Sequence, residues 1–188
     1  MSVVVRQPLF FCYYEETSYF CGMIETARMI LRSWSEDDAE ALYRYASDTR
    51  VSEPAMWPCH ESIEMSRKVI RDYFMPNPEV YAMVLKESGT PVKCVGLVPT
   101  GSEYYPTAER EREVGYWIGY PYWGKGLTTE AVTALIQHYR AHPGVDSLLL
   151  TTMLDNDASQ RVAAKCGFGP IADFEYEGIP CRAFRRIL

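Results

Sequence analysis

The sequence predicts an α+β domain of about seven strands and about four helices, on three observations. Residues 113–131, EVGYWIGYPYWGKGLTTEA, read as a strand, a short glycine-bearing loop and a helix start. Two pairs of strand-forming runs, 80–86 with 92–98 and 170–176 with 181–187, are each joined by a turn containing Gly and Pro, the pattern of an antiparallel hairpin. Between them lie segments whose apolar residues recur at helical spacing. At 188 residues, 47% hydrophobic and 23% charged, the chain is long enough for one well-filled core and too short for two comfortable ones.

Taken in order, residues 1–22 carry strand formers at 3–5, 9–14 and 19–21. They predict a strand-forming N-terminal extension, reaching to residue 25, that pairs with the domain or with a second copy in a homodimer. The other reading is a stretch upstream of the true start, since Met23 opens the patterned region. The stretch is broken by Arg6, Pro8, Glu15 and Glu16, so it lacks the continuous apolar core of a signal peptide.

The domain proper is expected over residues 26–188. Residues 28–34 alternate as a first strand. Ser35 with Asp38 makes a capping-box-like start for a helix carrying Ala39, Leu42, Tyr43 and Ala46, which ends near Asp48. Pro54 and Pro58 mark 52–59 as loop, and a second helix over 62–74 is stopped by Pro76 and Pro78. After the hairpin over 80–98 and a long polar and aromatic connection comes the strand from Glu113, with Val114, Tyr116 and Ile118 on one side and Gly115 and Trp117 on the other. Leu127, Ala131, Ala134, Leu135 and His138 then share a helix face as far as Arg140. Residues 147–153 are a short, almost unbroken apolar strand of the kind buried on both faces. Residues 155–159 open a fourth helix ending at Cys166-Gly167-Phe168, and the second hairpin turns at 177–180.

A net charge of −6 argues against a nucleic-acid binder and suits a cationic partner such as an amine. Six cysteines without a C-x-x-C pair, and three histidines without zinc-like spacing, predict reduced thiols, no metal and a cytoplasmic protein. No run approaches the ~18 apolar residues of a membrane helix.

The helix start after Gly124-Lys125-Gly126 is a phosphate cradle by virtue of its backbone: free N–H groups and the helix dipole point out of the loop, and glycines let an anion come close. Residues 119–125 satisfy the G-x-x-x-x-G-K of a nucleotide triphosphatase, but Gly126 stands where that motif needs a magnesium-binding hydroxyl. The second reader of such a loop is an acyl-coenzyme A site. The stretch 113–131 resembles the coenzyme-binding motif of the GNAT N-acetyltransferase superfamily, and its Tyr-Trp-Gly-Lys-Gly loop resembles the Rim-type branch related to ribosomal-protein N-terminal acetyltransferases. The usual first position of the loop is replaced by Pro121. A second signature, an Asn-x-x-Ser start leading to Lys-x-Gly-Phe, is matched by Asn156, Ser159 and residues 165–168, with Ala164 where Glu is usual.

The resemblance, over residues 26–188, implies a GNAT fold: a mixed, mostly antiparallel sheet whose two neighbouring parallel strands splay apart at the acetyl-CoA site. It implies acetyl-CoA as acyl donor and a primary amine as acceptor, a protein N-terminus or a small molecule. Coenzyme contacts would come from Trp117 and Ile118 main chain, from Trp123, Gly124, Lys125, Gly126, Leu127 and Thr128, and from Asn156 and Ser159. The pantetheine arm would run back along the strand from Ile118, about 16 Å to Glu113 at ~3.3 Å per residue. Glu113 is the expected general base, because an amine is mostly protonated at neutral pH and must lose that proton before it attacks. Glu175 is a second candidate base. A Tyr that many members use as an acid is replaced by Ala163, and Ser159 is the group expected to hydrogen-bond the thiol. The plain structural roles of these residues are a surface strand start for Glu113 and helix capping for Asn156 and Ser159. Met56, Trp57, His60 and Tyr104 are expected at the acceptor, unless Trp57 merely packs on the core. A non-catalytic acyl-coenzyme sensor would keep the loop but lack a working base.

Overall fold

The computed structural model describes residues 22–55, 57–98, 104–141 and 144–188. Two short strands, β1 (Ile24–Glu25) and β2 (Met29–Ser33), make a hairpin fastened by the Thr26 hydroxyl, which donates to Met29 O at 3.1 Å. β1 is not visible in the sequence, since two residues are too few to show a period. The expected extension lies outside the described residues as far as residue 21, and Ile24 and Glu25 belong to the sheet.

Ser35 and Asp38 form the anticipated capping box, but around a single 3-10 turn, Glu36–Asp38, before α1 (Ala39–Ala46) begins. Arg32 of β2 grips both Asp38 carboxylate oxygens, at 2.7 and 2.8 Å, and ties that turn to the strand. The expected loop after α1 is partly helical: Asp48 caps α2 (Thr49–Ser52), and Pro54 sits in a further 3-10 turn. The Ser62 hydroxyl accepts the Met65 N–H at 3.1 Å and so starts α3 (Ile63–Val69). A π turn carries α3 on to Phe74, where the Met75 N–H reaches Ile70 O at 2.9 Å.

The second half follows the expected order within two residues at each boundary: β3 (Val80–Leu85), β4 (Pro91–Leu97), β5 (Glu111–Ile118), α4 (Leu127–Arg140), β6 (Ser147–Met153), α5 (Asp157–Lys165), β7 (Gly169–Tyr176) and β8 (Ile179–Ile187). The last turn is tighter than predicted. Glu177 and Gly178 have φ of 49° and 81°, a two-residue hairpin turn that releases Ile179 and Pro180 into β8.

Among the described residues eight strands form one sheet in the order β1-β2-β3-β4-β5-β6-β8-β7, an α+β arrangement antiparallel at every pairing except β5 with β6. One face packs Met29, Leu31, Val95, Val114, Leu148 and Leu150 under α4 and α5; the other packs Val80, Ala82 and Cys94 with Trp34, Leu42 and Ile70 under α1 and α3. Among the described residues no helix is long and apolar enough to cross a membrane.

Candidate active site

The parallel ladder runs only from Glu111 opposite Ser147 to Glu113 opposite Leu149, yet β5 continues to Ile118 and β6 to Met153. The two strands therefore part beyond Glu113 and leave a wedge-shaped gap in the sheet.

Main-chain direction along each edge follows from pairing on the far side. Val98 N–H donates to Glu113 O at 2.8 Å and Gly119 N–H to Val92 O at 3.1 Å, so the hydrogen-bonded pairs with β4 fall on odd residues of β5. Trp117 is one of them, its main chain committed to Cys94. The main-chain groups of Tyr116 and Ile118 turn instead toward β6, where the ladder has ended. On the other edge, Leu154 N–H donates to Pro180 O at 2.8 Å and Leu188 N–H to Asp146 O at 3.0 Å, which puts even residues of β6 on β8 and aims Thr151 and Met153 at the gap. A gap edged by main chain suits an extended chain bearing amides of its own.

At the open end of the wedge stands the glycine loop. Gly119 is held against Tyr45, since a Cβ there would lie 2.5 Å from the tyrosine ring. Tyr120–Tyr122 make a 3-10 turn containing Pro121, and the Trp123 indole N–H donates to Ile118 O at 2.9 Å, fastening the loop to the strand end. The Tyr122 and Tyr45 hydroxyls lie 3.3 Å apart; that hydrogen bond, with burial, pushes the Tyr122 phenol up to about 12. Gly124 and Gly126 have φ of 72° and 74°, and Gly126 is the N-cap of α4 with no side chain to offer. The first intrahelical bond is Glu130 N–H to Gly126 O, so the N–H groups of Leu127, Thr128 and Thr129 head the helix as anion donors. Lys125 stands beside them, its ammonium 5.3 Å from the Tyr122 ring centre.

Arg28 locks this loop, a role the sequence did not disclose. Its guanidinium donates to Lys125 O at 2.9 Å and to Glu130 at 2.7 Å, and its main-chain N–H donates to the same carboxylate at 2.9 Å. Burial pushes the Glu130 carboxyl up, and hydrogen bonds from the Arg28 main chain, the Thr26 hydroxyl and the Arg28 guanidinium outweigh it, leaving the group below its ordinary value.

Glu113 lies at the closed end of the wedge. It is not a surface residue: only 3% is exposed, and its Oε1 accepts the Thr151 hydroxyl at 2.5 Å. Thr151 carries a single sequence signal, a hydroxyl inside the apolar run of β6, two residues from Leu149.

Register sorts the remaining candidates by face. Glu113 shares its face with Trp117, and, through Leu149, Thr151 and β8, with Phe174 and Tyr176. On one side of that face Trp57 meets Trp117 edge to face, ring centres 5.9 Å apart, and lies tilted against His60 at 5.5 Å. His60 is buried, its Nδ1 2.7 Å from Ser66 Oγ, and burial pulls its pKa down. On the other side Tyr104 meets Tyr176 edge to face, ring centres 4.6 Å apart, and Tyr105 lies tilted against Phe174 at 5.2 Å. Glu175 alternates to the opposite face and is exposed, so the structure does not bring it to Glu113. Met56 lies outside the described residues.

Asn156 caps α5, its Oδ1 accepting the Ser159 N–H at 3.1 Å. Ser159 is half-buried beneath the gap, on the face away from Glu113, with its hydroxyl 2.8 Å from that of Tyr116. The structure thus groups Ile118, the 123–128 loop, Ser159 and Glu113 around one wedge, and sets Trp57, His60 and Tyr104 on the face above it. Among the described residues no group of three or more His, Cys, Asp or Glu could hold a metal ion.

Comparison with known proteins agrees with this architecture. The sequence pattern of the acetyltransferase (GNAT) domain matches residues 28–169. The chain is 26% identical over 144 residues to the ribosomal-protein-serine acetyltransferase of Escherichia coli, covering 73% of this chain and 77% of that protein. Among solved structures, a GNAT-family acetyltransferase from Bacillus anthracis superposes with a TM-score of 0.76 at 18% identity, over 88% of this chain and 98% of the other. The ribosomal α-N-protein acetyltransferase RimL in complex with coenzyme A superposes with a TM-score of 0.70, also at 18% identity, over 88% and 98%.

Proposed function

The chain belongs to the acetyltransferase (GNAT) family, and on that premise we propose that it moves the acetyl group of acetyl-CoA to a primary amine, on a protein N-terminus or a small molecule, by direct attack with both substrates bound. The observation that carries this reading is the wedge. It begins at a helix N-terminus built for a phosphate, runs about 16 Å along a strand at ~3.3 Å per residue, and ends on a buried carboxylate.

The residues present fit the coenzyme. The N–H groups at the head of α4 and the left-handed Gly124 and Gly126 would take the diphosphate, and main chain at Tyr116, Ile118, Thr151 and Met153 would take the pantetheine amides. Acetyl-CoA supplies an activated acyl group. Glu113 accepts the proton of the amine, directly or through water, from the face that carries Trp57, His60 and Tyr104, so the acceptor enters between the two aromatic clusters. Ser159 faces the same wedge from the far side and serves the departing sulfur.

The test is a thermal-shift titration with acetyl-CoA and, separately, ATP, followed by coenzyme release with a panel of amines and N-terminal peptides. A ligand at 100 times its Kd adds about 2.7 kcal/mol to folding. Protection by acetyl-CoA, none by ATP, and amine-dependent release of coenzyme are expected. Protection without release from any amine would make the protein a coenzyme sensor, and protection by ATP alone would overturn the reading.

A further inference from the structure

The wedge has hydroxyls on the face opposite Glu113, and they bridge its two sides. Tyr116 belongs to β5, one edge of the gap, and Ser159 to α5, which follows β6, the other edge. Their hydroxyl oxygens are 2.8 Å apart, and the Tyr116 hydroxyl is also 3.4 Å from Ser159 O. The tyrosine ring is packed against the core under α4, so its hydroxyl has little freedom of position. The serine is held from its own main chain by Asn156, which accepts its N–H at 3.1 Å. Both partners are therefore fixed before any ligand arrives.

We infer that Tyr116 is a positioning residue for the Ser159 hydroxyl, donating its phenolic hydrogen to Ser159 Oγ and so leaving the serine's own hydrogen to point at the sulfur of the bound thioester. The inference rests on the acetyl-transfer reading given above. In the step concerned the amine nitrogen forms its bond to the acyl carbon, the carbon–sulfur bond breaks, and its electron pair leaves on sulfur as a thiolate. The ammonium proton has by then passed through Glu113 to solvent, and the second proton, lost from nitrogen as the amide forms, goes to Glu113. Ser159 keeps its O–H bond and donates only a hydrogen bond to the thiolate, because an alcohol is far too weak an acid to protonate one. Burial holds the Tyr116 phenol well above its ordinary value, which keeps it a neutral donor throughout. Geometry supports the division of labour. Glu113 and Ser159 lie on opposite faces of the sheet, so the proton is drawn off one side of the wedge while charge on sulfur is met from the other.

The experiment needs no acceptor. In the enzyme–CoA complex the pKa of the bound thiol is read from ultraviolet thiolate absorbance, as a difference against the complex with desulfo-CoA. A hydrogen bond to the thiolate lowers that pKa relative to free CoA. Tyr116→Phe keeps the ring and is expected to return the thiol toward its free value, Ser159→Ala is expected to do the same, and the double variant is expected to go no further, since one effect passes through the other. With an amine present, kcat is expected to fall about tenfold for Tyr116→Phe with KM for acetyl-CoA unchanged. A Tyr116→Phe complex with the wild-type thiol pKa overturns the inference while acetyl transfer stands, as does a double variant whose effects add. Failure of CoA to protect the wild type against heat takes down the acetyl-transfer reading and this inference with it.

Discussion

Glu113 and Thr151 meet where β5 and β6 part: the threonine hydroxyl donates to Glu113 Oε1 at 2.5 Å, and Glu113 is the last residue of β5 opposite a partner in β6. One side chain from each strand thus closes the wedge, and the buried carboxylate is oriented by the strand that does not carry it. Replacing Glu113 by Gln keeps the shape and removes the carboxylate proposed as the base. Turnover is expected to fall about 10²- to 10⁴-fold, with acetyl-CoA protecting the variant against heat as it does the wild type. Undiminished turnover would eliminate Glu113 as the base.

Thr151→Val removes the hydroxyl from a buried carboxylate without changing the volume much. Urea unfolding should show a loss of about 1 to 3 kcal/mol, the cost of a buried polar group deprived of a hydrogen bond. A variant as stable as wild type would mean that the contact contributes nothing to orienting Glu113.

Gly126 caps α4 with φ of 74°, a conformation that costs an L-residue about 1 to 2 kcal/mol. Gly126→Ala should lower stability by about that much; its methyl group would meet the Arg28 guanidinium at 3.7 Å, and any relaxation of φ at the N-cap would turn the N–H groups at the head of α4. Calorimetric titration is expected to show weaker acetyl-CoA binding than the stability loss alone accounts for. Gly89 also has positive φ, 65°, in an exposed turn and serves as the control: Gly89→Ala should cost stability and leave coenzyme affinity alone.

Arg28→Met cuts the loop free of the turn between β1 and β2 while touching nothing in the wedge. Its coenzyme Kd should rise about tenfold, near 1.4 kcal/mol, with kcat at saturating acetyl-CoA nearly unchanged. A fall in kcat at saturation would show that the lock also shapes the reacting end.

Acid stability should report Glu111. Burial pushes its carboxyl up, but hydrogen bonds from Arg185 and Ser147 outweigh that and hold it below its ordinary value. A carboxyl depressed in the folded state stabilises above its unfolded pKa, about 4.3, and the stabilisation drains away as pH falls through the folded value. Unfolding free energy is therefore expected to drop below about pH 4.3, and to drop less steeply in Arg185→Met. That variant should already be about 2 kcal/mol less stable at neutral pH, less than the roughly 3 to 5 kcal/mol of a fully buried pair because the guanidinium is 35% exposed. An identical acid profile in the two proteins would remove Arg185 as the cause.

The β5-loop-α4 unit was legible because three signals coincide in one stretch: alternation through Ile118, the two glycines, and helical spacing from Leu127. β1 and α2, of two and four residues, are too short to carry a period. The site was legible as residue types and less so as directions. Side-chain alternation correctly separated Trp117 from Tyr116, but which of them turns its main chain to the gap depends on register with β4, and that register is set by packing rather than by local sequence. Glu175 illustrates the same dependence, since one step along β7 decides which face it occupies. Thr151 and Arg28 act across long separations in the chain, and nothing in their own neighbourhoods announces Glu113 or Lys125 as a partner.

A sheet held together at its middle by three residue pairs is two sheets sharing a short seam, β1 to β5 on one side and β6, β8 and β7 on the other. Deuterium uptake along β5 should consequently alternate past the seam: slow at Trp117 and Gly119, which are stitched to β4, and quicker at Ile118, which looks into the opening. Loading the groove with acetyl-CoA would in effect add a ninth strand, and the alternation should fade as the two halves come to exchange as one.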